Sequence, residues 1–306
     1  RNYAPIDAAT APTVSIIVPG YNEEVNIVRT ITTLKQQDYP NLHIYFVDDG
    51  SKDHTLERVH EAFDNDEMVT VLAKKNGGKA SALNYGIAAC RSEYVICIDA
   101  DTQLKSDAVS RLMKHFIADK EKRVGAVAGN VKVGNQRNML TYWQAIEYTS
   151  SQNFDRMAYS NINAITVVPG AIGAFRKEVI EEVGGFTTDT LAEDCDLTMS
   201  INEHGYIIEN ENYAVALTEA PETLRQFVKQ RIRWCFGVMQ AFWKHRSSLF
   251  APSKKGFGLW AMPNMLIFQY IIPTFSPLAD VMMLIGLFTG NALQVFLYYL
   301  IFLIID

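Results

Sequence analysis

Short apolar runs alternate with helix-like patterns over residues 13 to about 130. The runs are short enough to be buried strands, and they lie at residues 13–18, 42–47, 68–73, 94–98 and 124–129. Helices are predicted between them at residues 23–37, 53–63 and 79–89. Strands that alternate with helices indicate an α/β fold with a mostly parallel sheet and helices on both faces. Right-handed crossovers then place the carboxyl ends of the strands along one edge, where such sheets bind ligands.

The pattern changes from about residue 139. It predicts a long helix at residues 139–159 and short strands at residues 164–168 and 171–175. It also predicts one helix that starts near residue 193 and another at residues 222–244. A second, more helical region therefore follows the alternating one.

The C-terminal part of the chain is strongly apolar at residues 257–287 and almost wholly apolar at residues 292–305. The first stretch is long enough to span a bilayer, although a buried pair of core helices is the alternative. The basic residues that precede it favour a membrane with the preceding domain in the cytoplasm; they are Lys244, His245, Arg246, Lys254 and Lys255. Its prolines and Asp280 indicate that part of it lies in the membrane interface or faces a protein-lined cavity.

The composition restricts the possible partners and the cellular compartment of the protein. The chain has a net charge of −6, so no basic field indicates a nucleic-acid partner. Its four cysteines form no C-x-x-C pair, and we interpret them as reduced thiols of a cytoplasmic domain. The first residue is Arg1 and the last apolar run is cut short, so we expect a segment of a longer chain.

Two carboxylates, Asp99 and Asp101, directly follow the predicted strand at residues 94–98. Carboxylates this close repel each other unless a cation or a proton lies between them. Mg²⁺ and Mn²⁺ prefer oxygen ligands and keep positions open for substrate phosphates. The pair therefore fits half of a metal–diphosphate site, although an acidic loop in solvent needs no function.

Two neighbouring strand ends carry similar chemistry. Asp48 and Asp49 precede a Gly-Ser turn that opens a helix, and they are suited to accept hydrogen bonds from a base or a ribose. In "KKNGGKASALNYG", Gly77 and Gly78 form a flexible turn before Lys79, which could cradle phosphate although the sequence is not a P-loop. Three acidic or glycine-rich loops are thus predicted at three successive strand ends.

Four motifs resemble the nucleotide-sugar half of family 2 glycosyltransferases, and they are "SIIVPGYNEE", "VDDGSKDHT", "NGGKASALNYG" and "CIDADT". The resemblance covers about residues 13–250 and implies the Rossmann-like fold called GT-A. It implies a nucleotide-binding half at residues 13–130, an acceptor half at 131–250, an N-terminal extension at 1–12 and membrane-associated helices at 257–306.

The same resemblance implies roles for individual residues. It implies that Asp49 and Asp99 contact the uridine, that Lys79 lies near the nucleotide, and that Asp101 binds a Mg²⁺ or Mn²⁺ ion together with Asp99. The residues that would line the nucleotide pocket are Pro19, Tyr21 and Glu23.

Inverting sugar transfer needs a base for the acceptor hydroxyl and a Lewis acid for the departing diphosphate. The acids Glu193, Asp194 and Asp196 lie at a predicted helix start, which they could also simply stabilise. In the family the Glu-Asp pair holds the catalytic base, and the resemblance assigns that role to Asp194. The family's usual Thr before this pair is Ala192 here.

The stretch "QRIRW" at residues 230–234 matches the Q-x-x-R-W signature of the family's processive, membrane-embedded synthases. Gln230, Arg233 and Trp234 lie at helical spacing. Arg233 can neutralise a diphosphate, and Trp234 offers a platform for an acceptor sugar, although a packed tryptophan is the alternative. Gly170 lies where the family shapes its acceptor pocket, but tight packing would explain it equally well.

We therefore expect a processive, inverting β-glycosyltransferase in the inner or plasma membrane, multi-pass, with its catalytic domain in the cytoplasm. "AEDCDLT" and "PETLRQFVKQRIRW" resemble poly-β-1,6-N-acetylglucosamine synthases, with chitin and hyaluronan synthases close behind. UDP-N-acetylglucosamine is therefore the leading donor, although the residues alone do not separate it from UDP-glucose. A growing polysaccharide would be the acceptor, and a membrane or export subunit is a possible partner.

Three alternatives remain at this stage. A non-processive family member would add a single sugar, and a sugar-nucleotide-binding subunit would add none. A nucleotidyltransferase would release pyrophosphate, and it would leave "QRIRW" without an explanation.

Overall fold

The computed structural model describes residues 6–288 and 292–305, and within them the strands form one mixed sheet. The strand order is β3-β2-β1-β4-β7-β6-β8-β5. The strands are β1 Val14–Gly20, β2 Leu42–Asp48, β3 Val69–Ala73, β4 Tyr94–Cys97, β5 Gln103–Leu104, β6 Val124–Val133, β7 Gly173–Arg176 and β8 Ile207–Thr218. The β1–β2, β1–β4, β2–β3 and β6–β8 pairs are parallel, whereas the β4–β7, β6–β7 and β5–β8 pairs are antiparallel.

Helices cover the sheet and continue beyond it. They are α1 Ile27–Leu34, α2 Thr55–Phe63, α3 Lys79–Ala89, α4 Ala108–Ala118, α5 Met139–Glu147, α6 Asp155–Ser160, α7 Lys177–Glu182, α8 Glu193–Glu203, α9 Leu224–Lys244, α10 Met262–Asn264, α11 Ile272–Leu287 and α12 Ala292–Ile305. π-helical segments lie at Tyr148–Phe154, Phe257–Ala261 and Met265–Ile271. Short 3₁₀ turns lie at Arg246–Ser248 and Pro252–Lys254. The predicted α/β class with a mostly parallel sheet is confirmed.

The hydrophobic core has two layers, one on each face of the sheet. Along β1 the side chains of Ile16 and Val18 join one cluster, whereas Ile17 between them joins the other. Successive strand residues point to opposite faces, so this alternation requires apolar cover on both sides. Each fully buried side chain of this size stabilises the fold by about 1.5–3 kcal/mol.

Several predicted elements match closely, and others differ for local reasons. Residues 79–89 form α3 as predicted, and residues 139–159 are helical but contain the π-helical segment. The helix predicted at residues 23–37 begins only at Ile27. The backbone N–H groups of Glu23 and Glu24 instead donate to Thr55 Oγ1 and Asp53 Oδ2, which ties this segment to the start of α2.

The strand predicted at residues 164–168 is wrong. This segment has no regular structure, because side chains of α8 satisfy its backbone in place of a neighbouring strand. Val168 N–H donates to Thr198 Oγ1 at 2.9 Å, and Asn202 Nδ2 donates to Ile165 O at 2.8 Å. β8, the 12-residue strand that pairs with β6 and β5, was not predicted.

The C-terminal helices expose apolar surface. Within the described residues, Phe257–Gly286 is the helical stretch long and apolar enough to cross a membrane, judged by length and composition. A shorter apolar helix follows at Ala292–Ile301. A third apolar cluster joins the first part of this stretch to the domain, since Phe257 and Met262 pack with residues such as Cys195 and Ala241.

Candidate active site

A cavity of about 590 Å³ brings together most of the predicted site residues. Its lining includes Lys79, Asp99, Asp101, Gly170, Glu193, Asp194, Gln230, Arg233 and Trp234. Four other predicted residues, Pro19, Tyr21, Glu23 and Asp49, are not among its lining residues. The structure therefore gathers the predicted base, the acidic D-x-D pair and the "QRIRW" residues around one space.

Lys79 lies between the acidic loop after β4 and the acids at the start of α8. Its Nζ is 2.5 Å from Asp99 Oδ1 and 3.2 Å from Glu193 Oε1. Burial alone would lower the pKa of Lys79, but the negative charges of Asp99, Glu193 and Asp194 raise it above its ordinary value. The ammonium is therefore charged, and it links the end of β4 to the start of α8.

The acidic loop after β4 carries more negative charge than its protein partners neutralise. Asp101 Oδ1 accepts hydrogen bonds from Thr102 Oγ1 at 3.3 Å and Thr218 Oγ1 at 3.4 Å. Burial and then the charge of Asp99 raise the pKa of Asp101 to about 6, and the charge of Glu219 adds to this effect. Burial and then the charge of Asp101 raise the pKa of Glu23 to about 7, so Glu23 lies close to this loop although it does not line the cavity.

The donor groups of this loop suit a hard divalent cation. Among the described residues, no three His, Cys, Asp or Glu side chains are arranged to hold a metal by themselves. Mg²⁺ and Mn²⁺, however, are often bound by one or two carboxylates together with substrate phosphates. The surplus charge around Asp101 and the oxygen atoms of its carboxylate and hydroxyl neighbours fit that arrangement.

The acidic loop after β2 is organised differently. Asp49 accepts hydrogen bonds from Lys74 Nζ at 2.7 Å, Gly77 N–H at 3.0 Å and Gly78 N–H at 2.7 Å. Its side chain is 4% exposed. Asp48 Oδ2 accepts from the N–H groups of Gly50 and Ser51, both at 3.1 Å. These carboxylates therefore shape the loops that lead into α2 and α3.

Asp194 is held at the start of α8 by backbone groups. Its Oδ1 accepts from Cys195 N–H at 2.8 Å, and its Oδ2 accepts from Gly170 N–H at 3.3 Å. Burial and then the charge of Glu193 raise the pKa of Asp194 to about 6. A carboxylate with this pKa is ionised at neutral pH and is still basic enough to take a proton.

Gly170 is close to three charged side chains of the cavity. A Cβ atom there would lie 2.6 Å from Lys79 Nζ and 3.7 Å from both Asp194 Oδ2 and Asp99 Oδ1. Only a residue without a side chain leaves this space free.

Asp196, the third acid of the α8 start, points away from the cavity. It is fully buried and accepts from His245 Nε2 and Lys244 Nζ, both at 3.0 Å. Burial opposes ionisation, but the hydrogen bonds from His245, Thr187 and Lys244 lower the pKa of Asp196 to about 2. This ion pair ties α8 to the end of α9.

Helix α9 carries Gln230, Arg233 and Trp234 on a side that reaches the cavity. The Trp234 ring lies 6.4 Å from the ring of Tyr148, centroid to centroid. Arg231 places its guanidinium 4.7 Å from the Trp234 centroid and bonds both carboxylate oxygens of Glu147, at 2.5 and 2.6 Å. Trp234 therefore packs against neighbours and also lines the cavity, so the two interpretations of this residue are compatible.

Sequence reasoning missed several residues of the site. Glu219 follows β8, and the rule that placed acids at strand ends would have found it if β8 had been predicted. The Arg231–Glu147 pair joins α9 to α5 across 84 positions of sequence, and no local pattern indicates it. Arg156 also lines the cavity, and nothing in "QNFDRMA" marks it as buried.

A mixed α/β sheet with a D-x-D loop, an acidic helix start and a basic, aromatic helix around one cavity defines the GT-A class of glycosyltransferases. The family model described as "Glycosyl transferase family 2" matches residues 15–184. The chain belongs to this family.

Two curated relatives are named poly-beta-1,6-N-acetyl-D-glucosamine synthase. The one from Staphylococcus epidermidis is 33% identical over 234 residues, which cover 75% of this chain and 56% of the relative. The one from Staphylococcus aureus strain COL is 32% identical over 224 residues, which cover 73% of this chain and 54% of the relative. The chain thus spans about half the length of these relatives.

Two solved structures share the fold. The mannosyltransferase PcManGT of Pyrobaculum calidifontis, in complex with GDP-Man and Mn²⁺, has a TM-score of 0.77 and 25% identity, covering 99% of this chain and 84% of that one. S. aureus TarS residues 1–349, in complex with UDP-GlcNAc, has a TM-score of 0.54 and 21% identity, covering 69% of this chain and 59% of that one.

Proposed function

We propose that the protein is a membrane-bound, inverting glycosyltransferase that adds N-acetylglucosamine from UDP-N-acetylglucosamine to a growing β-linked polysaccharide. The observation that carries this proposal is the position of Asp194. It lines the same cavity as the Asp99–Asp101 loop, and Lys79 bonds both Asp99 and Glu193, the neighbour of Asp194. A base and a diphosphate-binding edge in one cavity suit a single displacement.

In the proposed reaction, Asp194 takes the proton of an acceptor hydroxyl. The hydroxyl oxygen then forms a bond to the anomeric carbon of the donor sugar, while the bond between that carbon and the diphosphate oxygen breaks. The electron pair of that bond leaves with UDP. Lys79 and Arg233, two of the cations that line the cavity, would stabilise the added charge on the diphosphate.

Asp101 and Asp99 would hold the divalent cation, which would supply charge neutralisation at the leaving diphosphate. The acidic surroundings of Asp101 support a cation at this edge of the sheet. The Mn²⁺ named in the PcManGT structure supports Mn²⁺ as well as Mg²⁺. We further propose that Asp49, Pro19, Tyr21 and Glu23 surround the nucleotide.

We place the catalytic domain, residues 13–250, against the cytoplasmic face of a bilayer that residues 257–306 enter. The exposed apolar row on α9 supports this placement, and it consists of Leu224, Val228, Ile232, Phe236, Met239 and Trp243. The neighbouring helix α5 exposes Met139, Tyr142, Trp143 and Ile146. Such rows suit the interface of a lipid surface, and the apolar stretch Phe257–Gly286 follows in the same chain. The multi-pass topology and the export subunit stay predictions.

The names of the curated relatives support N-acetylglucosamine and a polymeric product. A second candidate is a single transfer of mannose from GDP-mannose, because PcManGT aligns with 99% of this chain. "QRIRW" favours the polymer, since this signature resembles that of processive synthases.

The test supplies membranes that contain the protein with Mg²⁺ and labelled UDP-N-acetylglucosamine, UDP-glucose or GDP-mannose in parallel, and it sizes the product. Membranes that contain the Asp194→Asn variant are the matched control. We expect high-molecular-weight product from UDP-N-acetylglucosamine alone, reduced about 10²- to 10⁴-fold by the substitution. A single added mannose would establish the second candidate. Product that the substitution leaves unchanged would remove Asp194 as the base.

A further inference from the structure

Arg156 and Arg176 are the two buried arginines of the described residues, with 8% and 3% of their surface exposed. Arg176 makes a hydrogen bond with every nitrogen of its guanidinium. It donates to Asp119 Oδ2 at 3.3 Å, to the Tyr94 hydroxyl at 3.0 Å and to Val124 O at 3.3 Å. Its guanidinium also lies over the ring of Tyr94, 5.3 Å from the centroid. This arginine is part of the core, and each of its three guanidinium nitrogens has an acceptor.

Arg156 is different. Within the described residues its guanidinium makes a single hydrogen bond, from Nη1 to Gly129 O at 3.2 Å, and it has no carboxylate in salt-bridge contact. A guanidinium carries five N–H donors, and burying such donors without acceptors is costly. Arg156 lies on α6, directly after the π-helical segment Tyr148–Phe154, and neither its Nε nor its Nη2 is among the buried atoms without a partner in the described residues, so this part of the guanidinium reaches open space.

The free side of Arg156 faces the catalytic cavity. Arg156 lines that cavity together with Asp194, Gly170 and Tyr159. Burial lowers the pKa of Arg156 to about 10, and the negative charge of Asp194 opposes this shift. The group is therefore cationic at neutral pH, whereas Lys79, a second cation near Asp194, is already paired with Asp99 and Glu193.

We propose that Arg156 donates hydrogen bonds to oxygen atoms of the acceptor sugar and so holds its hydroxyl against Asp194. This inference rests on the proposed function. The planar guanidinium can bind two oxygens of one sugar ring at the same time, either hydroxyl oxygens or an N-acetyl carbonyl oxygen. Lysine has the same charge but a single donor centre, so it would not replace arginine here.

The test uses the full chain in membranes and two substitutions, Arg156→Met and Arg156→Lys, with Arg176→Met as the control for loss of a buried arginine. Three quantities are measured for each protein. They are binding of a β-linked N-acetylglucosamine disaccharide without donor, binding of UDP-N-acetylglucosamine without acceptor, and the midpoint of thermal unfolding.

We expect both Arg156 variants to bind the disaccharide about 10- to 100-fold more weakly, which matches the loss of charged hydrogen bonds. Donor binding should stay within about threefold, and the unfolding midpoint should fall far less than in Arg176→Met. Transfer to the disaccharide should fall with a higher acceptor KM, while UDP release to water should persist.

Two kinds of outcome would overturn the inference. One is disaccharide binding that is equal in wild-type and Arg156→Met protein, or absent from both. The other is an equal loss of donor and disaccharide binding, which would give Arg156 a general structural role. Wild-type protein that binds the disaccharide through Arg156 but transfers no sugar would overturn the proposed function alone.

Discussion

The loops after β2 and β4 both carry two acids that follow a buried strand, but the hydrogen-bond partners of those acids differ. Asp49 is surrounded by Lys74 and two backbone N–H groups, and its side chain is 4% exposed. Asp101 has two hydroxyl groups as its partners and faces a cavity that also holds Glu219. The same pattern of a strand followed by two acids therefore stabilises the loop after β2, whereas after β4 it leaves negative charge exposed to the cavity.

The difference arises from what the next element supplies. The segment after β3 turns through Gly77 and Gly78, whose N–H groups point at Asp49. No backbone N–H bonds to Asp101 are found among the described residues, and its nearest charged groups include Asp99 and Glu219. A partly buried carboxylate whose hydrogen-bond donors are two neutral hydroxyl groups favours a cation, and a cation there would suit the diphosphate of the proposed donor.

Among the substitutions that test this comparison of the two loops, Asp101→Asn is expected to have the largest effect on turnover. Removal of this charge should reduce turnover at least about 100-fold, since stabilisation of the leaving group is worth several kcal/mol. It should leave the unfolding midpoint unchanged or higher, because like charges are removed from one site. Activity across a Mg²⁺ titration and thermal unfolding measure both quantities. Asp107→Asn is a control outside the cavity, at a half-exposed position that pairs with Arg111. A midpoint that falls strongly in Asp101→Asn would show that Asp101, like Asp49, stabilises its loop.

Asp49→Asn is expected to lower the unfolding midpoint, which Asp101→Asn should leave unchanged or raise. The substitution weakens charged hydrogen bonds to Lys74 and to the loop at Gly77, each worth about 1.5–3 kcal/mol. For a domain of this size the unfolding midpoint should fall by about 2–4 °C per kcal/mol. Donor binding should weaken in parallel, since this loop leads into α3 and Lys79. An unchanged midpoint with lost donor binding would mean that Asp49 acts only on the nucleotide.

A pH series should separate stability from activity. Because burial raises the pKa of Asp194 to about 6 and that of Glu23 to about 7, the folded protein binds protons more tightly than the unfolded chain between about pH 4 and pH 7. The free energy of unfolding should therefore fall as pH rises through this window. Transfer should rise over the same window, about tenfold from pH 5 to pH 7, as Asp194 ionises. Stability and kcat/KM that rise together would contradict these assignments.

The smallest effect is expected for Gly170→Ala. The added Cβ would meet Lys79 Nζ at 2.6 Å, and the flexible end of the lysine can move away. Transfer should fall about three- to tenfold because Lys79 shifts relative to Asp99 and Glu193. Gly134→Ala is the matched control, since a Cβ there meets nothing closer than 3.5 Å. Equal activity of the two variants would show that the position of Lys79 is unimportant.

The nucleotide-binding half was more predictable from the sequence than the acceptor half. Residues 79–89 and the strands before them follow simple periodicity, so α3 and the loops at Asp49 and Asp99 were placed correctly. The apolar run at residues 164–168 looks like a strand, but its partners are Thr198 and Asn202 side chains, which no local pattern reveals. Glu219 was missed together with β8, and Arg156 was missed because burial of a single arginine depends on tertiary packing.

The most direct test of the central claim is the configuration of the new glycosidic bond. Nuclear magnetic resonance of the product made from UDP-N-acetylglucosamine, in which the sugar is α-linked, gives this configuration. In the proposed reaction Asp194 is the single base, and it lines the same cavity as the Asp99–Asp101 loop, so we expect one displacement and a β-linked product. An α-linked product would require two displacements or a front-side reaction, and it would contradict the role of Asp194 as the base.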